Sequence, residues 1–126
     1  MDKDVIKKNV DSVRSRILTA AEKADRNPDG ITLMAVSKTY DIDHVRFASD
    51  ECGITCFGEN RVQEIEEKFA SYPMADRLHM IGHLQSNKVK KVLPFVSSID
   101  SVDSLKLLEK IDRSADENVD VLFEFN

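Results

Sequence analysis

The chain has 126 residues, 41% of them hydrophobic, enough apolar material for one globular domain or part of one. Its formal net charge of −5 lacks the basic footprint of a nucleic-acid-binding surface, which leaves small molecules and other proteins as expected partners. Cys52 and Cys56 are too few for a disulfide framework and do not have CxxC spacing, so both read as reduced core residues.

The opening stretch MDKDVIKKNV has neither the apolar core of a signal peptide nor a membrane-spanning run, so a cytoplasmic location is expected. Val5, Ile6, Val10, Val13, Ile17, Ala20, Ala21 and Ala24 recur mostly at helical spacing and predict an amphipathic helix. Pro28-Asp29-Gly30 stops it with turn chemistry. The run Ile31 to Val36 is apolar at both strand parities and predicts a parallel strand covered on both faces. A helix is expected from about Asp41 to Cys52, with Asp41 or Asp43 as cap and Gly53 as the residue that ends it.

The alternation then repeats. Ile54 to Phe57 predicts a strand, Val62, Ile65 and Phe69 a helix face, and Leu78 to Ile81 a strand. Asn87 is expected to cap a short basic helix that Pro94 closes; Phe95 to Ile99 reads as the next strand. Leu105, Leu108 and Ile111 mark a last helix, and Val119 to Phe125 a last strand. Such βα repeats predict an α/β fold with about five parallel strands, either doubly wound or part of a barrel. The domain expectation is one partial (β/α)-barrel unit over 1–126, with a leading helix and turn in 1–30 and alternating strands and helices in 31–126. A complete (β/α)8 barrel needs about 250 residues, so the chain is expected to hold only its N-terminal part.

In either architecture chemistry gathers where strands end. Those junctions read Ser37-Lys38-Thr39, Gly58-Glu59-Asn60-Arg61, Gly82-His83-Leu84-Gln85-Ser86-Asn87-Lys88 and Asp100-Ser101. Lys38 shares strand parity with Met34 and Val36, so its amine is expected to emerge from an apolar face that favours the neutral, nucleophilic form; the alternative is an ordinary solvated lysine. Asn60 reads as a ligand contact or as a cap for the helix that follows. His83 reads as a pocket residue or a plain loop residue. His79 and His83 do not form a metal pair, because four strand residues span about 13 Å. None of the four glycines belongs to a GxxxxGK[ST] or GxGxxG phosphate loop. The basic cluster Lys88, Lys90 and Lys91 reads as a solvated helix face.

Three segments in order, Leu33-Met34-Ala35-Val36-Ser37-Lys38-Thr39, Phe57-Gly58-Glu59-Asn60-Arg61-Val62-Gln63-Glu64 and His79-Met80-Ile81-Gly82-His83-Leu84-Gln85-Ser86-Asn87-Lys88, resemble signatures of the pyridoxal phosphate homeostasis protein family. Ile99 to Ser104 adds a weaker fourth. The resemblance implies the barrel of the alanine racemase N-terminal domain, with pyridoxal 5′-phosphate (PLP) held as a Schiff base (an aldimine) on Lys38. By the same resemblance, Asn60 and His83 are cofactor-pocket residues at the barrel mouth, and no metal or catalytic residue is implied. It further implies a non-catalytic role in vitamin B6 and amino-acid homeostasis, with PLP-dependent apo-enzymes as recipients and no membrane partner. The alternatives are a racemase-like PLP enzyme, which needs a second acid/base and a second domain, and a fragment that binds no ligand. The family's phosphate cup and its group facing the pyridine nitrogen come from later strands, so residues 1–126 alone are expected to bind the cofactor weakly.

Overall fold

The structure, a computed structural model, describes residues 2–125. Helix α1 (Lys3–Lys23) starts at Asp2, whose carboxylate accepts the Asp4 N–H, and a 3₁₀ turn at Pro28–Gly30 follows it. Strand β1 (Met34–Val36) leads into α2 (Ile42–Asp50), which Asp41, not Asp43, caps by accepting the His44 N–H at 3.1 Å. Gly53, at φ +66°, reverses the chain after α2, and the Arg14 guanidinium of α1 bonds the carbonyls of Cys52 and Gly53 there. The remaining elements are β2 (Cys56–Glu59), α3 (Val62–Phe69), β3 (Leu78–Met80), α4 (Val89–Val92), β4 (Ser98–Val102), α5 (Leu105–Ser114) and β5 (Asp120–Phe123).

All neighbouring strands are parallel and the sheet order is β1-β2-β3-β4-β5. A doubly wound sheet reverses its strand order at a switch point, whereas a (β/α) barrel adds each strand beside the last. The order is therefore that of consecutive barrel strands.

Register partners share a face in a parallel sheet. The series Phe57, Leu78, Met80 and Ile99 is wholly buried, and it packs in one cluster with Ile65 and Phe69 of α3, Val89 and Val92 of α4, and Leu107 and Ile111 of α5. The opposite face carries Val36, Gly58, His79, Ser98 and Asp120 in register, and here Val36 is 47% exposed and Asp120 is exposed. Apolar residues at both parities of the first strand had suggested cover on both faces. In the structure the helices shield only one.

Four further expectations need correction. The fourth strand begins at Ser98, three residues later than its apolar run, because Leu93–Phe95 form a 3₁₀ turn around Pro94. The strand itself carries Ser98, Asp100 and Ser101, whose polar groups find partners nearby; the Ser101 hydroxyl, for one, donates to the Gly82 carbonyl at 2.6 Å. Asp100 and Ser101 thus lie within β4 and not in the loop after it. Asn87 sits inside a 3₁₀ turn at Ser86–Lys88, and the cap position of α4 belongs to Lys88. Asn60 is not the cap of α3 either, since Arg61 occupies that position without a side-chain bond.

Gly82 shows how closely the β2 and β3 exits approach. A Cβ built there would lie 2.3 Å from the Asn60 carbonyl oxygen and 2.8 Å from its Cα. Those are backbone atoms with nowhere to swing, whereas a Cβ on Gly58 would meet only the side-chain ends of Met34 and Ile81. Gly82→Ala should therefore destabilise by about 1–3 kcal/mol, and Gly58→Ala by less, when both are measured by urea unfolding. Equal costs would contradict the reading of a backbone-limited contact.

Candidate functional site

The C-terminal ends of β1, β2 and β3 form one rim of the sheet. β1 ends at Val36, and the Ser37 N–H donates to the Gly58 carbonyl at 3.1 Å. The Tyr40 N–H donates to the Ser37 carbonyl at 3.2 Å, closing a turn over Lys38 and Thr39. Lys38 is exposed. Of the two readings of Lys38, an amine emerging from an apolar face and a solvated lysine at a strand end, the structure shows the second: the strand stops two residues before Lys38, so strand parity no longer sets its surroundings.

Thr39 stands at φ +70°, a left-handed conformation that a β-branched residue adopts only under constraint. The constraint comes from α3. The Glu64 carboxylate accepts the Thr39 N–H at 2.8 and 3.1 Å. On the other side of Lys38, the Ser37 hydroxyl donates to Glu59 Oε2 at 2.7 Å and the Lys68 ammonium donates to the Ser37 carbonyl at 2.7 Å. Lys68 Nζ also lies 2.5 Å from Glu59 Oε2 and 3.8 Å from Glu64 Oε1. Glu59 is fully buried, and its Oε1 has no hydrogen-bond partner among the described residues.

Burial pushes the Glu59 carboxyl above its usual range, and the opposing pull of the Lys68 ammonium and Ser37 hydroxyl does not cancel it. Since the folded value lies above the unfolded one of 4.5, the folded chain holds the proton more tightly. The stability linked to Glu59 is then fully present below the unfolded value and is lost as pH rises through the folded one. Glu59→Gln has no proton to lose. The stability of the wild type relative to this variant should fall as pH is raised from acid toward neutral, as followed by urea unfolding; a flat difference would contradict the shift.

At the β2 and β3 exits, the Ile81 N–H donates to the Glu59 carbonyl at 2.9 Å, and the half-buried Asn60 presses its backbone on Gly82. His83 has a 71% exposed side chain, and its Nδ1 lies 3.5 Å from Asp103. Lys38, Asn60 and His83 thus follow three adjacent strands at one rim. His79 lies back within β3 on the open face, with Nδ1 2.9 Å from Asp100, whose other oxygen accepts the Ser98 hydroxyl. Among the described residues no group of three His, Cys, Asp or Glu side chains could hold a metal ion. Lys90 and Lys91 are exposed on α4.

The Glu59–Lys68–Glu64 cluster had no role in the sequence reading, although two signals pointed to it. Glu59 shares parity with the buried Phe57, and an acid at a core-facing strand position requires a partner. Glu64 and Lys68 stand four apart on one helix face.

The family description "Alanine racemase, N-terminal domain" matches residues 2–126. A pyridoxal phosphate homeostasis protein of Aquifex aeolicus is 38% identical over 118 residues, covering 90% of this chain and 51% of the relative. That of Escherichia coli is 36% identical over 107 residues, covering 82% and 45%. Among solved structures, a protein of unknown function from Bifidobacterium adolescentis superposes with a TM-score of 0.81 at 38% identity, covering 90% of this chain and 51% of the other. PipY of Synechococcus elongatus, solved with PLP bound, gives a TM-score of 0.60 at 35% identity and covers 78% and 47%. The chain spans about half the length of the curated relatives it matches. With five parallel strands in barrel order and the family match running over residues 2–126, the chain belongs to the alanine racemase N-terminal domain family.

Proposed function

We propose that this chain carries the cofactor lysine of a PLP-binding protein, and that the whole protein stores PLP and hands it on, within cytoplasmic vitamin B6 homeostasis. One observation carries the reading: Lys38 stands exposed at the exit of β1, on the same rim as Asn60 and His83, in a fold whose relative PipY was solved with PLP bound. The groups present fit the aldehyde end of the cofactor. When the neutral amine of Lys38 adds to the aldehyde carbon, a C=N bond forms and water leaves, and hydrolysis reverses both. Asn60 and His83 supply an amide and an imidazole for the cofactor's polar edge. For the phosphate, residues 1–126 contain no glycine-rich loop of the known types.

Storage asks less of these residues than racemisation does: a reversible Schiff base needs only the Lys38 amine and access to it, whereas a racemase needs in addition a second acid/base on the opposite face of the cofactor. No helix among the described residues is long and apolar enough to cross a membrane.

The test is transfer. Protein loaded with PLP, freed of excess cofactor and mixed with the apo form of a PLP-dependent enzyme, should restore that enzyme's activity and should not interconvert alanine enantiomers. Alanine turnover within the usual enzyme range, about 1 per second or more, would replace storage with the racemase reading. Absence of any PLP retention would favour the ligand-free alternative.

A further inference from the structure

The turn that presents Lys38 has no regular structure of its own, yet side chains from β2 and α3 fasten it on both sides of the lysine. On one side Ser37 is held through its hydroxyl and its carbonyl, by Glu59 and Lys68. On the other, both oxygens of Glu64 take the Thr39 N–H. Lys38 is the residue between the two clamps.

We propose that Glu64 is a positioning residue for Lys38: by holding the Thr39 N–H it keeps the turn in its left-handed form and aims the amine at the rim shared with Asn60 and His83. The proposal rests on the reading of Lys38 as the cofactor lysine. Threonine at φ +70° relaxes readily to negative φ once its N–H is released, because its branched Cβ crowds the backbone in the left-handed form. Such a change at Thr39 rotates the peptide that links it to Lys38. Glu64 is well placed to prevent this, standing in the first turn of α3 with its side chain 21% exposed and Lys68 one helical turn away at 3.8 Å. A plain helix-terminus role for Glu64 would be indifferent to what happens at Lys38.

The experiment measures how fast PLP becomes fixed to individual lysines. The full chain is mixed with PLP and sodium cyanoborohydride; hydride reduces the C=N carbon and leaves a stable secondary amine, which peptide mass mapping assigns to each lysine over time. Lys23, exposed in the last turn of α1, and Lys90, exposed on α4 beside Ser97 and Ser114, lie toward the opposite end of the sheet and serve as internal references. In the wild type Lys38 should react faster than either. Glu64→Ala should slow Lys38 by about tenfold while leaving the references unchanged. Glu64→Gln, which keeps an acceptor oxygen, should recover most of the rate. Thr39→Pro, which removes the donor and leaves Glu64 intact, should repeat the loss. Unchanged Lys38 rates in Glu64→Ala and Thr39→Pro would overturn the positioning role and leave the cofactor lysine standing. No preference for Lys38 in the wild type would overturn both.

Discussion

Lys68→Ala should destabilise the chain by about 3–5 kcal/mol, because removing one partner of a buried ion pair strands the other. Glu59 is wholly buried and Lys68 Nζ is the cation beside it at 2.5 Å. Without that cation, the Ser37 hydroxyl would be the carboxyl group's one remaining partner among the described residues. The Ser37 carbonyl would lose its donor in the same step. Replacing both partners with apolar residues of similar volume, Glu59→Leu with Lys68→Met, should recover most of the loss. Urea unfolding of the two variants tests this: a double variant as unstable as Lys68→Ala would show that the pair itself, and not the stranded charge, supplies the stability. The apolar pair should still release Ser37 and so slow Lys38 labelling even where stability returns.

Much of this arrangement was legible in the sequence, and the exceptions share a physical cause. Helix positions followed directly from apolar spacing and caps, as with Asp41 before α2 and the stripe Leu105, Leu108 and Ile111 in α5. Parallel strands were legible from apolar runs. The boundaries of β1, β2 and β4 were not, because apolarity marks burial and not hydrogen bonding. Ile31 to Leu33 precede β1 and Phe95 ends a 3₁₀ turn, although both stretches read as strand, while Gly58 and Glu59 join β2, and Ser98, Asp100 and Ser101 β4, without being apolar. The choice between barrel and doubly wound sheet rested on strand order, a property that no local window of sequence contains. At the site, the motif positions of Lys38, Asn60 and His83 predicted their common rim. The sequence left Lys38 between an apolar face and solvent, since parity arguments lapse where a strand ends, and the structure puts it in solvent. The clamp around it was missed because Glu59, Glu64 and Lys68 converge on the turn from two different elements.

Residues 1–126 on their own should hold PLP at least about a hundredfold more weakly than full-length PipY. An imine in water hydrolyses readily, so retention depends on non-covalent anchoring, above all of the charged phosphate by backbone N–H groups or a helix N-terminus. Hydrogen bonds to charged groups contribute about 1.5–3 kcal/mol each, so losing two of them accounts for the hundredfold. Titration of both proteins followed by visible absorbance measures the difference; equal affinity would place a phosphate anchor within these 126 residues.

The assignment of Lys38 is tested most directly by borohydride. The whole protein that carries these residues is saturated with PLP, reduced, digested and mapped by mass spectrometry, with Lys38→Ala treated in parallel. The expected result is an adduct concentrated on the peptide that contains Lys38, together with loss of the yellow absorbance in Lys38→Ala. An adduct concentrated on another lysine, or a Lys38→Ala variant with the wild-type spectrum, would contradict it.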